Sequence, residues 1–185
     1  MNTIDALLTR NSAPRLTTPI PTENQLEIAY KCALRAPDHA WLRPSRFLQV
    51  TGDGLDKLSK IFYQYAKENM GDISEDKLMK YKKAPFRAPM IIILITNVTN
   101  HPSVPEHEQM FSTAAAAQNI LLALHAFKFG GIWRTGKFAM NKDIEKSLGL
   151  ASNQKILGFL YVGTPCGKVK KIPEIKTDDF VSKLQ

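Results

Sequence analysis

The sequence predicts one domain that mixes helices and strands without the strict alternation of a doubly wound parallel sheet. Three observations lead there. The run Met90-Ile91-Ile92-Ile93-Leu94-Ile95 is continuously apolar and rich in Ile, the mark of a strand buried on both faces. Stretches with helical spacing flank it on both sides, and two of the helices follow each other directly, which breaks a βαβ rhythm. The chain has 185 residues, 44% of them apolar, enough to fill the core of a single domain over residues 1–165.

In chain order, Ile4, Leu7 and Leu8 sit at helical spacing and run into the polar stretch Arg10-Asn11-Ser12-Ala13-Pro14-Arg15, read as a short helix and a loop. Thr22-Glu23-Asn24-Gln25 fits a capping box, and Leu26, Ala29, Tyr30, Ala33 and Leu34 recur on one face until Arg35-Ala36-Pro37 stops the helix. A strand is expected over 47–51, an amphipathic helix over 55–70 with Leu55, Leu58, Ile61, Phe62 and Tyr65 inward, and a more charged helix over 74–83. The Ile-rich run follows as the centre of the sheet. The longest helix is expected over 106–129, small and apolar through Ala114 to Ala117, and it calls for burial in the domain or in a subunit interface. Gly130-Gly131 should end it, an extended stretch at 132–134 and a short helix at 141–148 follow, and a last strand spans 156–162. Residues 166–185, with several lysines among Gly and Pro, read as an extended tail.

Composition excludes some classes. Lys and Arg number 25 against 17 Asp and Glu, a net charge of +8 that favours anionic partners. No stretch is apolar enough for a membrane span, and the first residues lack the basic-then-apolar order of a signal peptide. With only Cys32 and Cys166, neither a disulfide framework nor a metal pair is expected, which suits a cytoplasmic protein. His101 and His107 lack zinc spacing, and no nucleophile motif is present.

Three clusters carry candidate chemistry. Arg10, Ser12 and Arg15 gather two guanidiniums and a hydroxyl at a helix end, which suits an anion site, although taken alone they are better accounted for by a solvated, capped loop. Arg35-Ala36-Pro37-Asp38-His39 follows another helix end, where Arg35 and His39 either donate to a polar ring edge or serve ordinary macrodipole and turn roles. Phe129-Gly130-Gly131-Ile132-Trp133-Arg134-Thr135-Gly136 surrounds Trp133, Arg134 and Thr135 with glycines that let backbone approach a flat ligand, and it is no GxGxxG fingerprint. The basic run Lys77, Lys80, Lys82, Lys83 and Arg87 reads as a solvated helix end, with a nucleic-acid patch as the rival.

These strings, with Ala84-Pro85-Phe86-Arg87-Ala88-Pro89 and Gly158-Phe159-Leu160-Tyr161-Val162-Gly163-Thr164-Pro165, resemble in content and order the flavin-dependent nitroreductase family, in its short, YdjA-like branch. The resemblance implies an α+β fold, a mostly antiparallel sheet wrapped by helices, and a homodimer with FMN at the interface. It implies that Arg10 and Ser12 hold the FMN phosphate and ribityl end with Asn11 adding a backbone contact, that Arg35 and His39 face the isoalloxazine from the other subunit, and that Trp133, Arg134 and Thr135 line the same flavin. A nicotinamide-binding segment would fall on Ala123, Leu124, His125, Ala126, Phe127 and Lys128. NADH or NADPH would reduce the flavin, and a small-molecule acceptor, a nitroaromatic or quinone, would be reduced in turn by a ping-pong exchange, with no nucleic acid and no membrane involved. Two departures stand out: Asn11 replaces a frequent second Arg, and Arg43-Pro44-Ser45 stands where relatives often read Gln-Pro-Trp. Other flavin redox reactions, or flavin carriage without catalysis, fit the same resemblance.

Overall fold

The computed structural model describes residues 1–168 and 170–184. Helix α1 (Thr3–Thr9) opens the chain, capped where Asn2 Oδ1 accepts the Asp5 N–H at 2.9 Å. After a two-residue strand β1 (Leu16–Thr17) comes α2 (Glu23–Ala33), which starts with the expected capping box: Thr22 Oγ1 accepts the Gln25 N–H, and Gln25 Oε1 accepts the Thr22 N–H. Strand β2 (Ser45–Thr51) leads into the consecutive helices α3 (Asp53–Asn69) and α4 (Glu75–Lys82). Strand β3 (Met90–Asn97), the long helix α5 (Glu106–Ala126), strand β4 (Gly130–Arg134), helix α6 (Lys142–Ser147) and strand β5 (Gln154–Pro165) complete the order.

All strand pairings among the described residues are antiparallel: β2 with β3, β3 with β5, and β5 with both β1 and β4. The continuous Ile run is explained by helices on both sides of the sheet. Ile91, Ile93 and Ile95 enter a core with Phe62 and Phe159, while Met90, Ile92 and Leu94 enter a second core with Leu26, Ile120 and Leu124. The alanines of α5 serve close approach: Ala116 and Ala117 pack in the same core as Ala29 and Ala33 of α2, all essentially without exposure.

Several boundaries differ from expectation, most of them by one or two residues. Helix α5 stops at Ala126 rather than at residue 129, because Lys128 takes a left-handed φ of 66°, its N–H reaching His125 O and the Phe129 N–H reaching Leu124 O. Gly130 and Gly131 therefore do not end the helix, and the space beside them is filled by this chain: a Cβ at Gly130 would come within 2.7 Å of Pro165 and 2.9 Å of Ala13, and one at Gly131 within 2.6 Å of Leu121. The last strand runs longer than 156–162 because β5 serves three partners along its length. The tail is exposed and carries one turn at Thr177–Asp179, with Val169 and Gln185 lying outside the described residues. No helix among the described residues is long and apolar enough to cross a membrane.

Candidate functional site

The loop 10–15 is held from both ends. Its Ala13 N–H donates to Gly131 O of β4 at 3.1 Å, its Arg15 O accepts the Cys166 N–H at 3.1 Å, and Asn11 Nδ2 donates to Lys170 O at 3.2 Å. The start of the tail thus folds back on the loop of its own chain. Between them lies a cavity of about 550 Å³ lined by Asn11, Ser12, Arg15, His125, Lys128 and Lys168, among others. No carboxylate lines it among the described residues. Such a set of cations, a hydroxyl and an amide is the chemistry of an anion site.

His125 Nε2 lies 2.9 Å from Thr9 Oγ1, whose own proton goes to Asp5 O, so the ring nitrogen donates to the hydroxyl oxygen. Burial, followed by the charge of Arg10, pushes the His125 pKa below the ordinary histidine value. Arg10 stands in the chain between Thr9 and Asn11, both of which line the cavity. Of the segment Ala123, Leu124, His125, Ala126, Phe127 and Lys128, His125 and Lys128 line it together with Asn11 and Ser12, whereas Leu124 is fully buried and faces the core.

Trp133 and Arg134 follow on β4, one on each face of the strand. Trp133 is half-buried over Gly158, where a Cβ would run into its indole, and Trp133 Nε1 has no partner among the described residues. The Arg134 guanidinium stands 5.5 Å from the centre of the Tyr161 ring, and its Nε is buried and likewise without a partner among the described residues. Burial pushes the Tyr161 hydroxyl up, against the opposing pull of Arg87 and Arg134. Thr135 is exposed beyond the strand end.

Arg35 and His39 lie elsewhere. The segment after α2 crosses the first turns of α5, where Ser112 Oγ donates to Pro37 O at 2.7 Å and His39 Nδ1 meets Glu108 Oε2 at 2.7 Å. Arg35 lines a second cavity of about 460 Å³ with Asp38, Trp41, Arg43, Ser45 and Ser112. Glu108 and His125 stand near opposite ends of α5, about 25 Å apart at a rise of ~1.5 Å per residue. Within one chain the structure therefore joins the loop of Asn11 and Ser12 to the start of β4, puts Arg35 in a separate cavity, and keeps His39 near the opposite end of α5. Thr9, Lys168 and Lys170 are contributors that sequence reasoning did not single out; the tail lysines were visible as a charge cluster, but not the fold that returns them to the loop. Of the basic run on α4, Lys82 packs over the Tyr63 ring.

The pattern of the nitroreductase family matches residues 10–164. The Escherichia coli protein YdjA, provisionally named an NAD(P)H nitroreductase, is 37% identical over 166 residues, covering 89% of each chain. A nitroreductase-like protein from Bacillus cereus shares the fold with a TM-score of 0.84 at 19% identity, over all of this chain and 96% of the other. NfnB of a Sphingopyxis strain, titled an FMN- and NADPH-dependent nitroreductase, superposes with a TM-score of 0.77 at 14% identity, over the whole of both chains. The loop, the strand and the cation-lined cavity are thus parts of an oxidoreductase, and the chain belongs to the nitroreductase family.

Proposed function

We propose that the protein is an FMN-dependent NAD(P)H oxidoreductase that works as a homodimer, each flavin held by the loop 10–15 and β4 of one subunit and by Arg35 and His39 of the other. The observation that carries this is the length of α5. It puts His39, held by Glu108, about 25 Å from His125 in the phosphate cavity, farther than FMN reaches from phosphate to ring, so a two-fold partner is the simple way to bring them to one ligand. The outward face of the protein supports a partner: Phe111 on α5 is 66% exposed, and Ile4, Leu7 and Leu8 of α1 are also exposed.

The residues present fit FMN. A cavity with four cationic side chains, a serine and no carboxylate among its described lining suits a phosphate monoester. Arg134 Nε is a buried donor in want of an acceptor on the strand whose first residue, Gly130, lines that cavity. Bound FMN would supply a two-electron carrier between NADH or NADPH and an oxidised acceptor such as a nitroaromatic or quinone.

The chain's own work is binding and electrostatics, and no side chain is needed as a nucleophile. Ser12, Arg15 and Lys128 of the cavity lining hold the phosphate, Arg10 between Thr9 and Asn11 adds its charge, and Asn11 braces the tail through Lys170 O. Trp133, Arg134 and Thr135 border the ring, and Arg134 sets a fixed positive charge there. His39 turns Nδ1 to Glu108, which leaves Nε2 for the partner's flavin. His125 and Lys128 serve the phosphate rather than a nicotinamide, and Leu124 serves packing. The NfnB name, with its FMN and NADPH, supports this reading. The test is the visible spectrum of the purified protein, with anaerobic addition of NADH and then NADPH, and its mass by light scattering. Yellow protein of twice 20.8 kDa whose bands bleach is the expected result; a colourless monomer that refuses added FMN would overturn it.

A further inference from the structure

The second cavity, beside Arg35, is built differently from the phosphate cavity. Its wall carries Trp41, which is 80% exposed. An indole left in water gives up most of the stabilisation that burial brings to so large a ring. The backbone around it is nevertheless firmly tied. The Trp41 N–H reaches Asp38 O, Asp38 Oδ2 accepts the Arg43 N–H at 2.7 Å, and Arg46 Nη1 donates to Arg43 O at 2.7 Å and to Ser45 O at 2.9 Å. Ala40, Trp41 and Arg43 all take left-handed φ values of 57°, 54° and 49°. Non-glycine residues persist there only when their surroundings hold them, and they cluster where a ligand is gripped.

The charges of this cavity point one way. Arg35 and Arg43 line it, and neither is in an ion pair among the described residues. Its carboxylate, Asp38, already accepts the Arg43 N–H, and nearby Glu108 is taken by His39. A flat indole beside an unpaired guanidinium, around about 460 Å³, has room for a single substituted aromatic ring, with a face to stack on and a cation for an anionic group.

We propose that Trp41 and Arg43 make the enzyme selective for planar aromatic acceptors that carry an anionic group such as a carboxylate, Trp41 stacking on the ring and Arg43 pairing with the anion. This rests on the function proposed above, in which the segment 35–45 faces the partner's flavin.

The test compares kcat/KM for 4-nitrobenzoate and 4-nitrobenzyl alcohol on the FMN-loaded enzyme, and measures benzoate binding to the oxidised enzyme by titration calorimetry. The wild type should prefer the carboxylate, and Arg43→Gln should lower that preference about fivefold, the effect of one solvent-screened ion pair. Trp41→Ala should lower kcat/KM for both substrates, and Trp41→Phe should restore part of it. Benzoate binding should weaken in Arg43→Gln and with added salt. Lys60→Gln, which removes a charge from a different groove, should leave the preference unchanged. An equal preference in wild type and Arg43→Gln, or benzoate binding that ignores this substitution, overturns the proposal in an enzyme whose flavin is bound and bleached normally. Failure to take up FMN overturns the underlying function as well, and absorbance alone tells the two failures apart.

Discussion

Glu108 Oε2 stands 2.7 Å from His39 Nδ1, so a residue of the first turn of α5 fixes the ring of a residue in the loop after α2. Both side chains are substantially exposed, and the pair adds at most about 1 kcal/mol to stability. Its value is orientation, since a ring held at Nδ1 presents Nε2 in one direction. Glu108→Gln should therefore leave the melting temperature nearly unchanged while slowing anaerobic flavin reduction severalfold, as read by stopped-flow absorbance. An unaltered rate would remove Glu108 from the site.

The cation-lined cavity predicts a difference between two flavins. Arg15→Ala or Ser12→Ala should weaken FMN binding by about 10- to 100-fold, the effect of one charge-assisted hydrogen bond. Riboflavin, which lacks the phosphate, should bind these variants as it binds the wild type. Titration of apoprotein by flavin fluorescence checks both, and equal losses for the two flavins would move the phosphate elsewhere.

His125 makes stability depend on pH. Its pKa lies below the ordinary value in the folded chain, so around the ordinary histidine pKa the unfolded state binds more protons than the native one. Stability contributed by the neutral ring is present above the unfolded pKa and falls as the pH drops through it toward the folded pKa. Arg10→Ala removes the second cause of the depression and should flatten this slope. A phosphate in the cavity should draw the His125 pKa upward, so FMN should tighten on acidification from about pH 8 toward pH 6. Proton NMR of the histidine ring and thermal melts over that range measure both effects.

Gly158 leaves room for an indole. Gly158→Ala would set a methyl group against Trp133 and the Arg134 carbonyl, both held by the β4–β5 pairing. A loss of about 2 kcal/mol in denaturant unfolding is expected, together with a changed tryptophan emission. Gly52→Ala, where the added carbon meets nothing within 4 Å, separates crowding from the backbone cost of its positive φ.

Hybrid dimers test the shared site. Arg10→Ala and His39→Ala should each impair both sites of their homodimers. Co-expressed, the two variants should form mixed dimers with one intact site, and activity should return. No recovery in purified mixed dimers would place Arg10 and His39 in the same subunit's site.

The local elements were readable because local physics decides them. The capping box at Thr22 and Gln25, the stop before Pro37 and the two-sided burial of Met90-Ile91-Ile92-Ile93-Leu94-Ile95 need only neighbouring residues and periodicity. The end of α5 was missed because Lys128 adopts a conformation usually left to glycine, while the real glycines two and three residues later are needed for close packing against Ala13, Pro165 and Leu121. The reach of β5 beyond its apolar stretch depends on partners far away in sequence. The same holds for the cavity, where Asn11 is tied to Lys170 across most of the chain. Arg10, Asn11 and Ser12 were legible as a cluster, but their distance from Arg35 and His39 is a property of the folded helix that lies between them.

That helix sets a dimension that the sequence is not free to alter. One residue inserted in α5 between Glu108 and His125 would turn one end by about 100° relative to the other and lengthen it by about 1.5 Å. Glu108 could then no longer face His39 while His125 still faced Thr9. The exposed tail meets no such demand beyond Lys170, so tolerance of length changes should be high there and close to nil in α5.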